Sequence, residues 1–215
     1  MKKTGPVVLT VGVLLFNSLP VFANDRQAIK EDNHHTRRWN GFAEKLLRLH
    51  DILTRQYPHT IKKRLGGYSH IPKFYREYKY INKKTGKKIS QLQWEKAYPD
   101  KLHTIEVYIY DEYGRVKRDY SAAYLPDYRN APTQTLINFH TYNGLLHAFR
   151  SFDASGDHVL DRCTGRYNSK TINILLDEDE LAEGKYSKNG VIQSDTYKAC
   201  FKGLPETAGK YLNPQ

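Results

Sequence analysis

The sequence has no long apolar run after its first residues, and this absence excludes a polytopic membrane protein. It also has no sustained heptad pattern and no low-complexity tail, so a coiled coil is excluded. With 39% hydrophobic and 13% aromatic residues, it is too apolar for a disordered chain. Its 215 residues fit one domain, or one domain with a small appendage.

The most recognisable catalytic and cofactor motifs are also missing. There is no His-Glu-x-x-His, no Gly-x-Ser-x-Gly and no glycine-rich phosphate loop. Asp153, Ser155, Asp157 and Asp161 imitate the early ligands of a calcium-binding EF-hand loop. However, His158 and Thr164 stand where that loop requires glycine and glutamate. We therefore expect no metal site and no cofactor, and we favour a noncatalytic protein over an enzyme.

Residues 1–23 are typical of a secretory signal peptide. Lys2 and Lys3 provide a positive start, Val7–Phe16 is a short apolar core, and Ala23 is a small residue suited to a cleavage site. We expect cleavage after Ala23 and export to the periplasm or the medium. The mature chain is then expected to be soluble, with no integral membrane segment.

Only two cysteines are present, Cys163 and Cys200, and both lie in the part of the chain expected to be exported. An even number of cysteines in an exported protein favours a disulfide over a reactive thiol or a pair of metal ligands. We therefore predict a disulfide between them.

Residues 24–68 are interpreted as a polar leader followed by an amphipathic helix over Thr36–Tyr57. Apolar residues recur there at steps of three and four, and Pro58 marks the end of the pattern. We expect this helix to pack on a sheet rather than on a membrane. Lys62–Arg64 and Gly66–Gly67 are interpreted as a basic loop with a flexible joint.

Residues 69–215 are predicted to form an antiparallel β domain with a short C-terminal tail, because the apolar period changes to two. The fold class is α+β, mostly β: the helix packs on a meander of about seven to nine strands, as an open sheet or a partly closed barrel. The predicted strands are Phe74–Ile81, Ile89–Trp94, His103–Tyr110, Arg115–Tyr124, Leu136–Tyr142, Leu145–Phe152, His158–Cys163, Thr171–Leu176 and Val191–Phe201.

Basic and aromatic residues suggest a binding surface. The chain has 17 tyrosines and a formal net charge of +11, and several tyrosines alternate with cations. The leading hypothesis is a noncatalytic exported protein that binds an anionic polymer, a glycan or another envelope component. Nucleic acid is a less favoured partner outside the cytoplasm. The candidate binding residues are Tyr78, Tyr80, Tyr108, Tyr110, Lys84 and Lys87.

Two alternatives stay open. His140 and His147 flank the Asn143-Gly144 turn, a strong hairpin signal, so they can converge with Asp153 in a metal-dependent or histidine-dependent hydrolase, such as a nuclease. The other alternative is a protein–protein interaction module that docks a partner on a sheet edge. An exposed, regular edge strand would favour that alternative.

Overall fold

A nine-stranded antiparallel sheet forms the body of the protein, and each strand pairs with its neighbours in sequence. The computed structural model describes residues 34–124, 132–184 and 190–214. The predicted signal peptide, the first part of the leader and the loop over 125–131 lie outside these ranges. The prediction of a mostly β fold with an N-terminal helix on an antiparallel meander is confirmed, and the sheet is open rather than closed.

The described helices and strands follow in chain order. They are α1 (His34–Gln56), β1 (His59–Tyr68), β2 (Ile71–Asn82), β3 (Lys88–Glu95), β4 (Leu102–Tyr110), β5 (Val116–Ala123), β6 (Gln134–Asn143), β7 (Leu146–Phe152), β8 (His158–Tyr167), β9 (Lys170–Asp177), α2 (Glu178–Gly184) and α3 (Asp195–Phe201), with short 3-10 turns at Val191–Gln193 and Gly209–Leu212.

Helix α1 forms as its apolar spacing predicts and lies mainly over β3 to β6. Phe42, Leu46 and Leu49 lie three or four residues apart, so they share one face and are buried in the core. The helix ends before Pro58, which disfavours helical backbone in the residue that precedes it. Within the described ranges, no helix has the length and apolar character needed to cross a membrane.

Strand alternation gives the sheet two different faces. On the helix-covered face, Leu92 pairs with Ile105, and both join the core to which α1, α2 and α3 contribute side chains. The other face, here called the polar face, carries residues that hydrogen-bond to one another along neighbouring strands. Buried Glu77, for example, accepts hydrogen bonds from Gln91 at 3.0 Å and from Gln93 at 2.9 Å.

The basic loop predicted around Lys62–Arg64 is wrong, because these residues lie in β1 at the edge of the sheet. Arg64 donates two hydrogen bonds to the buried carboxylate of Glu77, which attaches β1 to β2. The register shifts at Gly67, where a Cβ atom would lie 2.0 Å from the carbonyl oxygen of Ile71. Only glycine fits this close approach of the two strands.

The strand predicted over Val191–Phe201 is also wrong, since the segment forms a 3-10 turn and then α3. Ser194 caps α3 by accepting a hydrogen bond from the backbone N–H of Tyr197 at 3.1 Å. Tyr197, Cys200 and Phe201 are buried, and their spacing of three and four residues fits one helical face.

Replacing Gly41 with alanine is expected to stabilise the protein by about 0.5–1 kcal/mol. Gly41 lies inside α1, and a Cβ atom there would meet nothing within 4 Å, so the gain in helix propensity brings no clash. Thermal denaturation of Gly41→Ala measures the effect. Gly67→Ala is the contrasting variant and should destabilise, because its Cβ overlaps backbone. A destabilised Gly41→Ala would contradict the packing described for α1.

Candidate functional site

The structure does not bring the six candidate binding residues together. Tyr78 pairs with Leu92 and Tyr80 with Ser90, which places both tyrosines on the helix-covered face. Tyr108 pairs with Asp119 and lies on the polar face instead. The sequence could indicate that these residues lie on strands, but not that strand pairing divides them between two faces.

Tyr108, Tyr110 and Lys87 line a cavity of about 470 Å³ near the β2–β3 and β4–β5 turns. Their polar atoms are already used within the protein. The hydroxyl of Tyr110 donates to the carbonyl of Lys88 at 2.8 Å, and that of Tyr108 donates to Glu106 at 2.6 Å. Burial and the hydrogen bond to Glu106 raise the pKa of Tyr108. These two tyrosines therefore support the local structure.

Lys87 and Lys84 differ in their surroundings. The ammonium of Lys87 donates to the carbonyl of Gly114 and lies 5.2 Å from the centre of the Tyr110 ring. Lys84 is exposed in the β2–β3 turn, and its backbone N–H is held by the side chain of Asn82 at 2.8 Å. Of the two candidate lysines, only Lys84 keeps its charge away from the cavity wall.

A second aromatic surface lies beside β1, at the margin of the sheet region that α1 covers. Arg76, Tyr78 and Tyr80 alternate along β2 and share one face with Trp94 of β3. With Pro99 and Asp100 they line an open groove of about 480 Å³, here called the aromatic groove.

The tyrosines of the aromatic groove keep their hydroxyl groups free of hydrogen-bond partners among the described residues. The ring of Tyr80 lies against His50 of α1, with ring centres 4.5 Å apart, so α1 fixes one wall of the groove. Lys63 pairs with Tyr78 across β1 and β2, and its ammonium lies 5.4 Å from the centre of that ring. Aromatic faces and cations are therefore adjacent here.

The two histidines of the predicted hydrolase site do converge, but Asp119 accompanies them and Asp153 does not. His140 Nδ1 lies 3.1 Å from His147 Nε2, and His140 Nε2 lies 2.6 Å from Asp119 Oδ2. We call these three residues the histidine relay. Asp153 lies at the far end of β7, where one carboxylate oxygen accepts the backbone N–H groups of Ser155 and Asp157.

Neighbouring side chains hold the histidine relay in place on the polar face. Asn138 donates to Asp119 Oδ1 at 2.8 Å, and the ring of Tyr142 stacks on His147 with centres 4.6 Å apart. Burial, the adjacent His140 and the positive charge of Arg162 lower the pKa of His147. His147 is therefore a neutral imidazole at neutral pH.

Sequence reasoning missed Asp119, Trp94 and Arg76 as site residues. Asp119 lies on β5 opposite Asn138, two residues from His140 along β6, so a correct β5–β6 register would have identified it. Trp94 and Arg76 are paired directly across β2 and β3. In each case the missing information was strand pairing rather than residue type.

Strand β1 is an edge strand, most of whose residues are exposed, and its register is regular from His59 to Gly66. Ile61 and Leu65 are exposed apolar side chains on it. The intervening Lys62, Lys63 and Arg64 are charges of the kind that protect an edge from pairing with other chains. The regular edge favours docking of a partner, whereas its charges oppose it.

No protein-family model, no curated protein and no solved structure matches the chain. Within the described ranges, no group of three or more His, Cys, Asp or Glu side chains is arranged to hold a metal ion. The aromatic groove and the histidine relay are therefore the two candidate functional sites of the protein.

Proposed function

We propose that the protein is an exported, noncatalytic binding protein whose aromatic groove holds a segment of an anionic, carbohydrate-rich envelope polymer. The observation that carries this proposal is the adjacency of Tyr78, Tyr80 and Trp94 in one open groove with Arg76 at its wall. Flat ring faces suit the apolar face of a sugar, and free hydroxyl groups suit its polar edge.

Charge favours an anionic polymer over a neutral one. Arg76 and Lys63 provide positive charge at the groove, against one carboxylate, Asp100, among the lining residues. Lys62 and Arg64 of β1 lie on the opposite face of the sheet, so Lys63 is the cation that β1 contributes to the groove. The whole chain carries a formal net charge of +11. A surface of this sign attracts polyanions at a distance, and salt weakens that attraction.

The disulfide supports the exported part of this proposal. Cys163 of β8 and Cys200 of α3 are bonded, with Cα atoms 6.0 Å apart, and there are no free cysteines. Structural disulfides persist in oxidising compartments and are rare in the cytosol. The pairing agrees with the signal-like pattern of residues 1–23.

Removing an aromatic side chain from the groove is expected to weaken binding to alginate, a polyuronate, by about tenfold, since truncating an aromatic residue at a binding interface often costs roughly 1–2 kcal/mol. Tyr78→Ala and Trp94→Ala are the test variants, and isothermal titration calorimetry measures their dissociation constants. Arg76→Gln should weaken binding and make it less sensitive to salt. Neutral dextran serves as the uncharged comparison.

The matched control is Tyr113→Ala, because Tyr113 is 74% exposed and lies outside the aromatic groove. It should bind alginate as the parent protein does. Circular dichroism identifies any variant that fails to fold, and Tyr78→Ala remains informative because Tyr78 is only half-buried. Unchanged affinity in folded Tyr78→Ala and Trp94→Ala, or equal losses in Tyr113→Ala, would refute the groove as the binding site.

A further inference from the structure

The hydrogen bonds of the histidine relay determine which ring nitrogens carry protons. In the tautomer in which His140 donates its Nε2–H to Asp119, the Nδ1 of His140 is an acceptor. His147 must then donate its Nε2–H to His140. The lone pair of His147 is left on Nδ1, which has no hydrogen-bond partner among the described residues.

The positive charge of Arg162 acts on His147 and disfavours its protonation in the free protein. Arg162 of β8 is exposed and lies diagonally across from His147, whose direct partner on β8 is Thr164. Long side chains reach such diagonal neighbours. Arg115 is farther away, because its guanidinium lies against the Tyr142 ring that stacks on His147 and forms an ion pair with Asp111 at 2.8 Å.

We propose that the histidine relay is a proton-coupled oxyanion site, in which a sulfate or phosphate group binds between His147 and Arg162 as His147 takes up a proton on Nδ1. This proposal is independent of the aromatic groove, which lies on the opposite face of the sheet. The protonated ring donates Nδ1–H to the anion and keeps its Nε2–H on His140. Every hydrogen bond of the relay therefore survives protonation.

A bound cation is the wrong ligand for this position. One imidazole nitrogen is available, both nitrogens of His140 are occupied, and Asp119 already accepts from His140 and Asn138. The guanidinium of Arg162 repels a metal ion but pairs well with a tetrahedral oxyanion. The site therefore suits an anion that arrives with a proton.

The ionisable groups around His147 determine its pH response. They are His140 and Tyr142 on β6, Asp119 on β5, Arg162 on β8, and Arg115 with its ion-pair partner Asp111 at the β4–β5 turn. His140 and Arg162 disfavour protonation of His147, whereas a bound anion favours it. Affinity should thus be highest in acid and fall by up to about tenfold per pH unit above the pKa of His147.

Nuclear magnetic resonance of the imidazole nitrogens tests the proposal. In the free protein, His140 and His147 should both carry their proton on Nε2 at pH 7.5. Inorganic sulfate at ten times its dissociation constant should raise the apparent pKa of His147 by about one unit. The same titration is repeated with dextran sulfate. A rise in the apparent pKa of His147 with inorganic sulfate shows that a free anion is sufficient. A rise with dextran sulfate alone shows that the ligand is a sulfate group carried by a polymer.

Three variants make the experiment specific. Arg162→Gln should weaken sulfate binding by about tenfold, and Arg37→Gln, an exposed arginine on α1, should leave it unchanged. Asp119→Asn tests a positioning residue, and the nitrogen spectrum should then lose the single tautomer of His140. No response of His147 to either probe between pH 5 and 8, a response independent of pH, or one that persists in Arg162→Gln would each overturn the proposal.

Discussion

Asp161→Ala should lower the free energy of unfolding by about 3–5 kcal/mol, because it removes the buried carboxylate that pairs with the buried charge of Arg150 and leaves it only Glu206, whose side chain is 88% exposed. Arg150 is 3% exposed and Asp161 is fully buried. Two hydrogen bonds of 3.0 Å join the guanidinium to the carboxylate, which also accepts from Tyr197 of α3 and pairs with His158 at 2.8 Å. Urea unfolding followed by circular dichroism measures the loss.

The matched control is Asp111→Ala, which removes the carboxylate of an ion pair at the β4–β5 turn. Its partner Arg115 is exposed, so water can replace the lost ion pair. The turn also loses the hydrogen bond that Asp111 accepts from the backbone N–H of Arg115 at 2.7 Å, so the cost should be about 1 kcal/mol. If Asp161→Ala lowers the free energy of unfolding no more than Asp111→Ala does, the buried network stabilises the fold no more than an exposed ion pair, which would contradict the prediction.

The loss of stability in acid is a second measurement of the network around Arg150 and Asp161. Burial alone would raise the pKa of Asp161, but hydrogen bonds from His158, Arg150 and Tyr197 outweigh it and lower the pKa below its ordinary value. A carboxyl with a lowered pKa stabilises the fold above its unfolded pKa of about 3.9. That contribution is lost as the pH falls through the folded pKa, so the parent protein should lose stability below pH 4 and Asp161→Asn should lose less.

Local periodicity was sufficient to predict most of the fold. The alternation of Ile105, Val107 and Ile109 predicted β4, and the three- and four-residue spacing in Thr36–Tyr57 predicted α1 to within two residues at its start. Strand β1 was missed because two adjacent glycines and three basic residues resemble a loop. Its strand conformation depends on pairing with β2 and on the ion pair between Arg64 and Glu77, which lie 13 residues apart.

In the candidate sites, too, the local sequence predicts some contacts, whereas others depend on the pairing of strands that are distant in sequence. The Asn143-Gly144 turn is enough to predict that His140 and His147 converge, and they do so at diagonal positions, since His147 pairs directly with Tyr142. Asp153 is close to His147 in sequence, yet β7 separates them, because His147 is near the start of that strand and Asp153 follows its end. Asp119 is 21 residues from His140 and becomes its neighbour only through the pairing of β5 with β6.

Removing the disulfide by the double substitution Cys163→Ala/Cys200→Ala is expected to lower the free energy of unfolding by about 3–4 kcal/mol, since the bond closes a long loop in the unfolded chain. The two cysteines are separated by 37 positions in sequence, and both are fully buried. Urea unfolding of the variant measures the effect. The parent protein unfolded in a reducing agent should lose a similar amount, and an unchanged urea midpoint after reduction would contradict the prediction.

The disulfide and the buried ion pair are expected to depend on each other. Cys200 attaches α3 to β8, and the same helix brings Tyr197 to Asp161 and places Phe201 5.5 Å from the guanidinium of Arg150. Without the disulfide, α3 is attached less firmly to the sheet, so its contacts with Asp161 and Arg150 are already weakened. Asp161→Ala then removes less stabilisation than it does in the parent protein. The combined variant should therefore lose less stability than the sum of the separate losses, by more than about 0.5 kcal/mol. Strict additivity in this double-mutant cycle would show that α3 stays in place without its covalent link.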